Sequence, residues 1–188
     1  DVVGRRRGAA EMQRFLEQMS GARLPIEVEP VLGGGPFVFI GRSGQLDELK
    51  PAIAFDKLGP EDFAIKTVGR HLVIAGGRGR GTMYGVSTFL ETLGCRWFTR
   101  DLSRIPRRPA ITVEPTDIIG RPAFEMRWPG ITEAFDKDWA ARNKLKIFGL
   151  TEEDIDSFRQ QGRINPEVTI YAPIAGTVVQ RKIGPGQY

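Results

Sequence analysis

Two groups of residues in this 188-residue chain have types and spacings that could do chemistry. Gly76-Gly77-Arg78-Gly79-Arg80-Gly81 lies between an apolar run and a helical pattern, the order in which backbone N–H groups at a helix N-terminus face a phosphate. A P-loop needs Gly-Lys-Ser/Thr after its spacer, and a dinucleotide loop needs G-x-G-x-x-G. Gly77-Arg78-Gly79-Arg80-Gly81 has neither spacing, so a structural tight turn stands beside phosphate or nucleotide binding as the expectation. The second group is Cys95 with His71, each the sole residue of its type. They allow a thiol–imidazole pair in principle, but both sit in apolar patterns that burial explains. One cysteine and one histidine exclude an internal disulfide and a cysteine-built metal site, and no cofactor or metal is expected.

The elements that must position these residues follow from periodicity. Ala9, Met12, Phe15, Leu16 and Met19 recur at helical spacing over 7–20, and Gly21 supplies the stop. Leu24 to Val28 is expected to be extended behind Pro25, and Phe37-Val38-Phe39-Ile40 forms a short buried strand. Leu46, Leu49 and Ile53 fit a short helix interrupted by Pro51. Phe63–Val68 and His71–Ala75 form a hairpin about Gly69-Arg70, with Ile65, Leu72 and Ile74 directed to the core. A helix over Thr82–Leu93 buries Met83, Val86, Phe89, Leu90 and Leu93, and Gly94 ends it. Cys95-Arg96-Trp97-Phe98 is a short strand. This irregular alternation predicts an α/β (α+β) fold, a mixed sheet with packed helices.

Composition narrows the function classes. With 40% hydrophobic and 27% charged residues the chain has room for one real core. The net charge of +4 is spread over 27 basic and 23 acidic residues, a solvated surface with no base-stacking aromatics, so no nucleic-acid partner is expected. The chain starts at Asp1 with no signal sequence and no long apolar run, so the expectation is a processed chain or fragment without membrane insertion.

Gly76, Gly77, Arg80, Gly81, Tyr84, Gly85, Phe89, Leu90, Glu91, Gly94, Cys95, Arg96, Trp97 and Phe98, in that order, resemble the signature of the N-terminal accessory domain of bacterial alpha-glucuronidases and related glycoside hydrolases. AAEMQRFLEQMSGARLPI, Ala9 to Ile26, is similar to that domain's first helix and its exit. The resemblance implies a non-catalytic α/β unit over 1–120, ahead of a (β/α)₈ barrel that holds the catalytic carboxylates. Arg121 to Arg127 resembles the start of the first barrel strand, and 121–143 would be a truncated barrel start and seam. Glycoside hydrolysis needs two carboxylates about 5 to 10 Å apart. Asp136 with Asp138 could be put forward, as could Glu152, Glu153 and Asp154, but the latter follow Thr151 as the first turn of a capped helix. No catalytic residue is assigned and no enzyme activity is expected. The partner implied is carbohydrate or the missing barrel.

The ending differs. Lys144 to Gln161 has a helical pattern broken at Gly149, and Val168–Tyr171 and Thr177–Ile183 have strand patterns around Pro173 and Gly176, with a turn at Gly184-Pro185-Gly186. LKIFGLTEEDIDSF and APIAGTVVQRKIGPGQY resemble the periplasmic adaptor, or membrane fusion, proteins of heavy-metal efflux pumps, through Ala172, Pro173, Gly176, Val178, Gly184 and Gly186. That resemblance implies, over 144–188, a helix end plus half of a lipoyl-like barrel-sandwich, efflux-pump components as partners, and an exported or periplasmic location. Trp139-Ala140-Ala141-Arg142-Asn143-Lys144-Leu145 is similar to both families, which places the seam of a chimeric chain there. The alternative reading is an assembly or binding module of an efflux adaptor.

Overall fold

The computed structural model describes residues 2–28, 35–77, 80–124, 127 and 136–145, all within the first of two units, Asp1–Lys146 and Ile147–Tyr188. The expected helix and strands over 146–188, with Glu152, Glu153, Asp154, Pro173, Gly176, Gly184 and Gly186, lie outside the described residues, as do Arg78 and Gly79.

Helix α1 (Val2–Ser20) buries Met12, Phe15, Leu16 and Met19, the i, i+3, i+4, i+7 stripe of an amphipathic helix. It begins five residues before the apolar pattern does. The early turns are held by tertiary contact: a Cβ on Gly8 would stand 3.0 Å from Ile40 and 3.4 Å from Val86, and the Arg5 guanidinium donates to the Arg42 carbonyl. Leu24 to Val28 carries no strand pairing, and all five residues are exposed.

The main sheet runs β1 (Val38–Ile40), β3 (His71–Gly76), β2 (Phe63–Val68), β6 (Asp117–Gly120), with β1 parallel to β3 and the other neighbours antiparallel. β3 is central and apolar at every inner position because both its faces are covered. Leu72 and Ile74 join Phe63 and Ile65 against α1 and α3 (Gly81–Thr92), whereas Val73 and Ala75 meet Phe39 and Leu46 on the reverse face. Leu46 belongs to α2 (Gly44–Glu48), capped by Ser43, whose hydroxyl accepts from the Leu46 amide. This helix stops before Pro51, so Ile53 is not on it.

β6 was not apparent in the sequence. Ile118 and Ile119 are 37% and 49% exposed, so no buried face imposes alternation, and Lys66–Asp117 (2.6 Å) and Thr67–Thr116 contacts fix the strand on β2. A second ribbon pairs β4 (Arg96–Trp97) with β5 (Ser103–Arg104). A fourth helix, α4 (Lys137–Arg142), lies where the sequence shows only a seam. The described residues therefore form an α+β unit with a mixed four-stranded sheet and helices packed on it.

Candidate functional site

The glycine-rich crossing comes first because it sets where α3 begins. Gly77 and Gly81 lie against the loop 59–62: a Cβ would stand 1.9 Å from the Gly59 carbonyl oxygen at Gly77 and 2.2 Å from the Asp62 carbonyl oxygen at Gly81. Only a residue without a side chain permits that approach. Two amides of the described part of this crossing point inward, Gly77 N–H to the Asp62 carbonyl at 2.9 Å and Gly81 N–H to the Pro60 carbonyl at 3.2 Å. Gly76 N–H is taken by the Thr82 hydroxyl at 3.1 Å. Gly85 lets α3 rest on the sheet, 2.9 Å separating its would-be Cβ from Ile74.

Past this crossing Arg80, just ahead of α3, and Tyr84 and Glu91 on it all meet residues 144 and 145. Tyr84 is fully buried, its hydroxyl 3.3 Å from Glu61 Oε1 and 3.4 Å from the Leu145 carbonyl oxygen. Having one hydrogen, it serves one acceptor at a time. Arg80 donates to the same carbonyl at 3.4 Å. Arg127 donates to Glu61 Oε2 at 2.8 Å and to the Lys144 carbonyl at 2.6 Å, and its guanidinium lies 5.7 Å from the Tyr84 ring centre. Burial raises the Tyr84 pKa, and the Glu61 charge raises it further. The phenol is therefore neutral and a donor. Burial by itself would lower the Arg127 pKa, but hydrogen bonds to Glu61 and Tyr84 outweigh it and raise the value.

The rest of the site is the seat of α4. Asp136 caps this helix, accepting from the Asp138 and Trp139 amides at 3.0 and 2.8 Å, and Asp138 accepts from Arg7. Asp136 and Asp138, the first of the two acidic groups that could be put forward as a carboxylate pair, are thus a cap and an ion-pair partner. Trp139, 6% exposed, enters the core beside Phe15 and Trp97. The Trp97 carbonyl receives Trp139 Nε1–H and Asn143 Nδ2–H, each at 3.2 Å. Arg142 grips both Glu11 oxygens, at 2.8 and 3.2 Å, and Lys144 grips both Glu91 oxygens.

α4 ends in a Schellman turn, with Lys144 N–H to the Ala141 carbonyl and Leu145 N–H to the Ala140 carbonyl. Lys144 takes the left-handed position, φ 56°, so it terminates a helix where the sequence had suggested the beginning of one. Gly94, φ 97°, closes α3 in the same way.

The structure separates Cys95 from His71. Cys95 is buried with its sulfur 3.8 Å from that of Met19, and burial raises its pKa. His71 stacks on Phe37 and accepts the Phe37 amide on Nδ1 at 3.2 Å. Of the remaining motif residues, Arg96 donates to the Glu91 and Cys95 carbonyls at the end of α3, and Phe98 is exposed.

Sequence reasoning missed Glu61, Arg127, Glu11 and Arg142. No local spacing links Glu61 to a residue 66 positions away. Among the described residues there is no group of three or more His, Cys, Asp or Glu placed to hold a metal ion, and no helix long and apolar enough to cross a membrane. No model of a known protein family matches the chain, and no curated protein matches it.

Proposed function

We propose that residues 1–120 are a non-catalytic accessory domain of the alpha-glucuronidase type, whose signature residues receive the first segment of a following barrel, and that the chain joins this domain to an efflux-adaptor-like tail. One observation carries the proposal. Arg80, Tyr84, Glu91 and the Trp97 carbonyl, all signature positions, bond to residues 139–145 instead of lining an open ligand site. Arg127, at the end of the segment that resembles the first barrel strand, completes the same network through Glu61. A motif of this kind is a receptacle for the chain's own continuation, and it leaves its charges satisfied.

The domain supplies docking and no chemistry of its own. The purified full-length chain is expected to show no turnover of an aryl glucuronide or hexosaminide. Turnover abolished by Asp136→Asn or Asp138→Asn would overturn the reading. Removal of residues 146–188 is expected to leave the melting transition and oligomeric state of the remainder unchanged. A lost transition or an altered oligomer would favour the assembly-module alternative.

A further inference from the structure

The ribbon after α3 has two unlike faces. Its register sets Arg96 opposite Arg104 and Trp97 opposite Ser103, and the Phe98 amide donates to the Leu102 carbonyl at 3.0 Å, which sets Phe98 opposite Leu102 at the tip. Strand alternation sends Trp97 inward, 4% exposed, and leaves Arg96, Phe98, Leu102 and Arg104 on the other face. Phe98 and Leu102 are 56% and 59% exposed, and every residue from 98 to 104 is exposed. The tip is a built turn: Thr99 N–H meets the Leu102 carbonyl at 3.1 Å, and Leu102 N–H meets the Thr99 hydroxyl at 3.0 Å.

Charge along this ribbon is predominantly positive. Residues 96–108 hold five arginines, Arg96, Arg100, Arg104, Arg107 and Arg108, and a single acid, Asp101, which pairs with Arg100 at 3.3 Å. Arg96 is turned back onto α3. Arg104, Arg107 and Arg108 are exposed, and none has an ion pair among the described residues. Like charges directly opposite each other weaken a strand pair, a penalty that a bound anion removes.

We propose that this ribbon is a peripheral docking element for an anionic lipid surface. Phe98 and Leu102 enter the interface while Arg104, Arg107 and Arg108 meet headgroup phosphates. The combination selects a bilayer over other anions. An acidic protein or soluble polyanion would use the arginines and give the protruding Phe98–Leu102 pair no role, whereas a fluid interface takes up two projecting apolar side chains without a matching cavity.

The test is co-sedimentation of the full chain with vesicles of phosphatidylcholine alone or with about a third phosphatidylserine, at low and high salt. Binding is expected to the anionic vesicles alone, weakened by salt, and reduced about tenfold by Phe98→Ser with Leu102→Ser and by Arg104→Glu with Arg107→Glu. All four side chains are exposed, and Arg104→Glu sets an opposite charge against Arg96, so melting transitions should not fall. Absence of binding to anionic vesicles at low salt overturns the proposal. So does binding that ignores the Phe98/Leu102 pair, since the arginines would then serve a polyanion only.

Discussion

Lys144 Nζ sits 2.7 and 2.8 Å from the two carboxylate oxygens of Glu91 while its own backbone adopts φ 56°. Glycine is the usual tenant of that conformation, because a Cβ there crowds the following carbonyl. At this position the conformational preference and the ion pair oppose each other. The side chain that Glu91 requires is one that the turn disfavours.

Substitutions at 144 separate the two effects. Lys144→Ala loses the pair and keeps the strain, whereas Lys144→Gly loses the pair and relieves the strain. Urea midpoints should therefore place Lys144→Gly about 1 kcal/mol above Lys144→Ala in stability. Equal midpoints would mean that the left-handed turn imposes no strain.

Glu61 and Arg127 are 15% and 16% exposed at their side chains, dry enough for their interaction to exceed that of a surface pair. A double-mutant cycle with Glu61→Gln and Arg127→Met should give a coupling of about 1–3 kcal/mol. A coupling near zero would remove this pair from the network around Tyr84.

Trp97 and Trp139 are both buried, yet they differ in hydrogen bonding. Trp97 Nε1 finds no acceptor among the described residues, whereas Trp139 Nε1 donates to the Trp97 carbonyl. Trp139→Phe should cost about 1 kcal/mol more than Trp97→Phe, because only the former breaks a bond. Chemical denaturation of the two variants decides it, and the reverse ranking would count against the α4 seat.

Alkaline pH acts on the same region. The folded state raises the Tyr84 pKa above its ordinary 10.0, so the fold binds that proton more tightly than the unfolded chain does. The stabilisation is fully present below pH 10.0 and is lost as pH rises through the folded pKa. Cys95 behaves with the same sign from its ordinary 9.0. In a Cys95→Ala background, denaturation midpoints should still fall above pH 10.0, and adding Tyr84→Phe should flatten that fall.

Gly81→Ala drives a Cβ to 2.2 Å from the Asp62 carbonyl oxygen, main-chain atoms that cannot swing aside. The loss is expected to be about 3 kcal/mol or more. Arg80→Ala, one residue earlier, removes polar contacts to the Leu145 carbonyl and the Tyr84 hydroxyl but drives no atoms together, so it should cost less, about 1–2 kcal/mol. Similar melting temperatures for the two would deny the close crossing.

How far the sequence carried depended on burial. α1 announces itself because it hides one face and so keeps a helical stripe, whereas α3 and β3 are buried at almost every position and show as apolar runs bounded by glycine. β5 and β6 are exposed edges of two and four residues, where nothing enforces alternation. α4 is six residues long with a single buried anchor, Trp139, too little for a helical stripe. The network was invisible for another reason: Glu61–Arg127 and Glu91–Lys144 join residues 66 and 53 positions apart, and no spacing rule spans such distances. Of the signature residues, Arg80, Tyr84, Glu91 and the Trp97 carbonyl all bond to residues 139–145, a convergence that their spacing in the chain does not reveal.

Arg80 and Tyr84 close on the carbonyl of Leu145, a main-chain atom that every amino acid possesses. A grip of that kind is blind to the identity of the residues downstream. Splicing immediately beyond position 145 would leave this clasp, the last among the described residues, intact whatever sequence is appended, so the carbonyl marks a cut-and-join point for building fusions.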